Sequence, residues 1–208
     1  MRNVTLLSLC LAATACATKG VTRVPPPPVI ALPTEALSGS TIAVFPLTTM
    51  GVDTVLGWGQ FFVDRRQAFD RVDSILTSTL NRRIPQITWL PPAELRRAAA
   101  KAPGLLTDPD QMALHLLQTH ALASIPDPLA SQLRQLAGVA TGGRYIIAPA
   151  NLWFEHVSNI LGRVRIVVAL ADVRRGAISW SATVSGTGET PWEAIRAAAL
   201  QLTAPDVQ

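Results

Sequence analysis

Hydrophobic and polar residues alternate most regularly along residues 163–186. Side chains point to opposite faces of a strand in turn, so Val164, Ile166, Val168 and Leu170 share one face. Ile178, Trp180, Ala182 and Val184 do the same in a second strand, opposite Ser179, Ser181, Thr183 and Ser185. Between the two lies the polar turn Asp172-Val173-Arg174-Arg175-Gly176, where Gly176 is free to take a positive φ. The pattern predicts an antiparallel hairpin. Two strands do not hold in water by themselves, so helices are expected across its apolar face, with Trp180 beneath one of them.

Upstream, the period changes. Residues 41–47 form a short apolar, β-branched run ended by Pro46, which reads as a buried strand. Residues 65–83 carry Phe69, Val72, Leu76 and Leu80 at helical spacing, with Ile75 beside them and Pro85 as a stop. A second strand is expected at 87–90. A helix then starts at Pro91-Pro92, where Glu94 complements the positive N-terminal end. Asp108-Pro109 opens another helix, and Asp127-Pro128 leads one in which Leu129, Leu133, Leu136 and Ala140 share a face up to Gly142-Gly143. Residues 145–149 read as a third strand that runs on irregularly towards Trp153 and Phe154. A last helix begins at Pro191 with the stripe Trp192, Ile195, Ala199 and Leu202. Strands separated by helices imply right-handed crossovers and parallel pairing. The expected fold is therefore α/β: a single mixed five-stranded sheet with a C-terminal antiparallel hairpin and helices packed on it.

The first forty residues follow neither period. Arg2 precedes an apolar run too short to span a bilayer, and small residues follow directly before Cys16, so 1–15 reads as a secretory signal peptide. Ala13-Thr14-Ala15-Cys16 resembles the lipobox of bacterial lipoproteins, in which the chain is cut before a cysteine that then carries lipid. Cys16 is the expected lipidation site, giving a palmitate-bearing membrane anchor, and Ala17 is not the aspartate that marks inner-membrane retention. Residues 16–40, with Pro25-Pro26-Pro27-Pro28, are expected to form an extended tether. The periplasmic domain is expected over 41–204, with 205–208 as a frayed tail.

Composition narrows the chemistry. The chain is 49% hydrophobic and 15% charged, which excludes a wholly disordered protein. Cys10 and Cys16 are its only cysteines, so the exported body has no thiol for a disulfide or a thiolate metal site. The formal charge is +4, but the arginines are scattered in pairs with no aromatic-interleaved strip, so no nucleic acid is expected as a partner. His115 and His120 are five apart and His156 is remote; zinc pairs on one helical face are four apart, so no metal is expected. Asp70 and Asp73, flanked by arginines, read as solvated ion pairs. Neither GxGxxG nor GK[ST] occurs, and no cofactor is expected.

One segment has more apolar bulk than a connection needs. Residues 48–62 hold Met50, Leu56, Trp58, Phe61 and Phe62 with three glycines, directly after the first strand. Ligands of open α/β sheets gather beyond the carboxyl ends of strands, and aromatics dominate binding hot spots. Trp58, Phe61 and Phe62 are accordingly the candidate partner-binding residues. The competing reading is that these rings plug the edge of the sheet.

A series of short motifs runs through the domain: Ile42-Ala43-Val44-Phe45-Pro46, Leu136-Ala137 through Gly143-Arg144-Tyr145-Ile146-Ile147, Val164-Arg165-Ile166, and Gly176-Ala177-Ile178-Ser179-Trp180-Ser181. The series resembles the curli-secretion lipoprotein superfamily, which includes the lipoprotein activators of penicillin-binding proteins and the N-terminal domain of the Tol-system propeller protein. The resemblance covers about residues 41–203 and implies a periplasmic binding or assembly module rather than an enzyme. No long amphipathic strands for a membrane barrel, as in the pore-forming member, are evident in the sequence, and the segment 149–156 has no counterpart role. The expected function is that of a non-enzymatic, membrane-anchored lipoprotein, facing the periplasm from the outer membrane and binding another cell-envelope protein. The alternative is an envelope hydrolase. No GxSxG elbow is present, so its triad would have to come from distant residues.

Overall fold

Residues that alternate in the sequence pair as strands, and the helical stripes close over them on both faces. This is seen in a computed structural model that describes residues 31–118, 124–158 and 160–203. The stretch 1–15 read as a signal peptide, Cys16, the proline run, His120 and the tail from 205 lie outside the described residues. The elements are α1 (Thr34–Leu37), β1 (Thr41–Val44), β2 (Met50–Val52), α2 (Arg65–Arg83), β3 (Thr88–Leu90), α3 (Pro92–Lys101), α4 (Leu129–Thr141), β4 (Tyr145–His156), β5 (Gly162–Asp172), β6 (Ala177–Gly188) and α5 (Pro191–Gln201).

The fold is mixed α/β, with strand order β3-β1-β4-β5-β6. β1 is parallel to β3 and β4, whereas β4, β5 and β6 form an antiparallel meander. The sheet has a sixth strand beyond the five expected. β2 comes from the segment 48–62 and pairs parallel with Leu152, Trp153 and Phe154 of β4. Only three residues long and centred on Gly51, it has no alternation by which a sequence could announce it.

β1 and β2 thus lie along the same side of β4, at Ile146–Ile147 and at 152–154, with a gap between them. Pro149 sits opposite that gap, where its missing N–H breaks no ladder, and the β4–β5 register shifts between Pro149 and Asn151. The segment 149–156 is the distal two-thirds of the strand β4.

Two apolar layers sandwich the sheet. On one face Ile42, Val44, Leu152, Phe154, Val164, Ile166, Val168 and Leu170 meet α2 and α5. On the other, Ala43, Phe45, Ile146, Ala148, Ala169 and Ala171 meet α3 and α4. The first layer also takes in Leu32 and Leu37, so the packed body begins before residue 41 and includes part of the stretch read as tether.

Local chemistry explains the starts of two helices. Asp64 caps α2 by accepting the Gln67 N–H at 2.9 Å. Thr190 caps α5 through the Glu193 N–H at 3.3 Å. α5 lies close enough on β6 that a Cβ at Gly186 would sit 2.2 Å from the Ala194 carbonyl oxygen, so this crossing requires glycine. The expected helix after Asp108 is instead two 3-10 turns, Pro109–Gln111 and Leu114–Gln118, with Met112 extended between them. The β5–β6 turn is as expected: Gly176 has φ 63°, and Asp172 accepts the N–H groups of Arg174 and Arg175, each at 3.1 Å.

β6 departs from the expected facing. Leu170 pairs with Trp180 but Ala171 pairs with Ile178, leaving Ser179 as an extra residue. Ile178 therefore packs in the α3–α4 layer and Trp180 in the α2–α5 layer, where its ring is only partly buried. The two residues do not share a face, and Trp180 is not enclosed under a helix.

Candidate functional site

The segment 48–62 is built by caps and a glycine. After β2, Asp53 accepts the Val55 N–H at 3.0 Å and starts the 3-10 turn Thr54–Leu56. Gly57, with φ 69°, reverses the chain into a second such turn, Trp58–Phe62. These turns push the rings inward. Trp58 is 6% exposed and meets Phe154 edge-on, with centroids 5.4 Å apart. Phe62 lies 5.3 Å from Phe154 and 6.0 Å from Trp192. Phe61 meets Trp192 edge-on at 6.5 Å, and the Arg71 guanidinium lies 4.3 Å from the Trp192 ring.

The expectation for Trp58 is thereby corrected: its ring belongs to the core, fitted over Gly162, where any Cβ would be 2.5 Å away. Phe61 and Phe62 are partly buried against the same layer.

Aliphatic side chains surround this aromatic floor at the surface. Val55 is 71% exposed and Ile160, in the β4–β5 turn, 70%. A cleft of about 520 Å³ opens between them, lined also by His156, Ser158 and Glu189. The turn itself is held by the Val157 and Ser158 N–H groups, which donate to the Leu161 carbonyl at 3.1 and 3.0 Å. Sequence reasoning missed this half of the site. Its signal was Ile160 standing among the turn-forming residues of 156–161.

The cleft brings a histidine, a serine and a carboxylate to one rim, yet no hydrogen bond joins the His156 imidazole to the Ser158 hydroxyl or to Glu189. His115 is exposed in the 3-10 turn Leu114–Gln118. Among the described residues no three metal-ligating side chains gather, and no helix is long and apolar enough to cross a membrane.

A second cluster lies beyond the carboxyl end of β1. Asp73 of α2 is 4% exposed, not solvated as expected. One of its oxygens accepts the Leu47 N–H at 2.9 Å and the other meets Arg96 of α3 at 3.2 Å. Arg96 also reaches Asp70 at 3.0 Å and holds Asp110 in a two-pronged pair. Burial pushes the Asp73 carboxyl up to about 7, against the pull of the Leu47 N–H and of Arg96. Asp110 is the main reason the guanidinium holds its proton more tightly than usual. The signal for Asp73 was in the sequence: residues 69, 73, 76 and 80 recur every three or four positions, so Asp73 falls on the buried stripe itself.

Neither a family model nor a curated protein matches the chain. Among solved structures, a PelC dodecamer from Paraburkholderia phytofirmans is 15% identical, with a TM-score of 0.37, covering 85% of this chain and 94% of that one. The LpoB C-terminal domain from Escherichia coli is 14% identical, with a TM-score of 0.40, covering 72% and 83%. Lipoprotein GNA1162 from Neisseria meningitidis is 15% identical, with a TM-score of 0.37, covering 72% and 83%. At such scores no role is transferred from them to this chain.

Proposed function

We propose that the chain is a lipoprotein of the cell envelope, anchored through lipid on Cys16, whose domain binds another envelope protein without catalysing a reaction. The observation that carries this reading is the aliphatic rim of Val55 and Ile160, with Leu56 and Leu161 beside them, around the cleft above Trp58. Exposed apolar side chains gathered on a rigid floor and edged by polar groups have the anatomy of a docking surface. Phe61 and Phe62 extend the floor at its edge, while Trp58 supports it from below. Proline runs favour extended geometry at ~3 Å per residue, so Pro25-Pro26-Pro27-Pro28 gives this reading a spacer between the domain and the lipid. An outer-membrane location facing the periplasm belongs to the same reading, since Ala17 does not signal retention.

A photo-crosslinking residue placed at Ile160 in intact envelopes tests the surface. The expected result is one discrete adduct with an envelope protein, lost on Val55→Asp in a protein that melts like wild type. An adduct that persists in Val55→Asp, or no adduct at all, overturns this reading.

A further inference from the structure

Among the described residues, the distal half of the meander is covered on one face only. Leu152, Phe154, Val164, Ile166 and Val184 of these strands are buried in the α2–α5 layer. On the opposite face, the described part of the α3–α4 layer ends at Asn151, whose amide donates to Gln118 of the 3-10 turn at 3.1 Å. Beyond it the side chains of Trp153 and Glu155 of β4, Arg163 and Arg165 of β5, and Thr183 and Thr187 of β6 form a flat array set by the strand register. This face lies across the sheet from the aromatic floor of the cleft.

Trp153 is the one ring in the array and is 48% exposed. It is cross-strand from Gly51 of β2, and a Cβ there would fall 1.8 Å from the indole. Glycine thus lets the six-membered ring lie directly over the β2 backbone. Covering an edge glycine accounts for the inner side of the ring. No described residue covers the outer side, and the ring is held in place before any ligand arrives. Arg165 is committed to Glu155, with its Nε donating to the carboxylate at 2.7 Å. Arg163 makes no ion pair among the described residues, so the array carries one uncompensated positive charge. Thr183 and Thr187 add exposed hydroxyls that can both donate and accept.

We infer that this face binds an acidic glycan chain. A sugar ring has an apolar C–H side that suits a fixed indole, and hydroxyls that suit the planar Glu155–Arg165 pair and the threonines beside it. Arg163 supplies the complement to a sugar carboxylate. A protein partner would call for several apolar anchors, and this array has one. A nucleic-acid strand would call for a track of cations, and only one here is uncompensated.

Affinity electrophoresis of the full chain in mild detergent, through gels containing polygalacturonate or dextran, tests the inference. Wild-type protein is expected to be retarded by polygalacturonate and not by dextran. Trp153→Ala should weaken that retardation at least tenfold, Trp153→Phe should restore most of it, and Arg163→Gln should weaken it several-fold at unchanged melting temperature. Wild type that passes polygalacturonate freely overturns the inference, as does a Trp153→Ala protein retarded like wild type. Trp153-dependent binding to single-stranded oligonucleotide or to phosphatidylglycerol vesicles, without binding to polygalacturonate, overturns it in favour of a different partner.

Discussion

The backbone N–H of Leu47 donates to the carboxylate of Asp73 at 2.9 Å, so the chain leaving β1 hangs from a buried acid on α2. The bond replaces a strand partner at the point where Pro46 has ended the ladder. It joins the first strand to two helices at once, because the other carboxylate oxygen faces Arg96 of α3.

That acid makes stability depend on pH in an unusual direction. Asp73 titrates at about 7 in the folded protein against 3.8 ordinarily, so between those values the folded state binds a proton that the unfolded chain does not. The stabilisation is complete below pH 4 and is lost as pH rises through about 7, by at most about 4 kcal/mol at roughly 1.4 kcal/mol per tenfold change in proton affinity. Asp73→Asn holds the neutral form permanently. Its melting temperature is expected to lose most of the wild-type decline between pH 5 and pH 8. An unchanged slope in the mutant would assign the decline to other groups.

Two tryptophans that look alike in the sequence should respond differently to truncation. Trp58→Ala removes a core ring packed on Phe154 and is expected to cost about 3–5 kcal/mol. Trp180→Ala, at a partly buried position, is expected to cost less than half as much. Urea denaturation of both proteins checks the order, and equal losses would contradict it.

The anchor is checked by fractionation. Cys16→Ser is expected to move the protein from the membrane to the soluble periplasmic fraction, and mass spectrometry of wild type should show a diacylglyceryl, N-acylated cysteine at the mature N-terminus. A wild-type chain found soluble and unmodified would remove the lipoprotein reading.

What could be read in the sequence was whatever is decided locally. α2 runs over the expected residues because nineteen positions carry one stripe, a capping Asp64 and a proline stop. Val164, Ile166, Val168 and Leu170 face one layer as alternation requires. What could not be read was decided by partners distant in the chain. β2 exists because β4 offers it an edge, and the extra residue at Ser179 appears only once β5 fixes the register. Asp73 is tolerated inside because Arg96 and the Leu47 N–H reach it from other elements. The aromatic segment stands out in the sequence by its bulk. Whether its rings faced in or out depended on the glycine at 162 and on Phe154, both roughly a hundred residues away.

The position of β4 between the N-terminal strands and the meander orders events in time. β1 pairs with β3 some forty-five residues on, but its other edge waits for Ile146 and Ile147, and β2 has no neighbour until 152–154 exist. By contrast, β5, β6 and α5 follow one another and need only short turns to meet. Closing long loops costs entropy before any contact repays it, so the C-terminal meander is the natural nucleus on which the earlier strands later condense. A chain made from its N-terminus must therefore keep its first strands waiting until its last quarter has been synthesised. In that interval Ile42, Val44 and Phe45 are exposed to any holding chaperone that the cell provides.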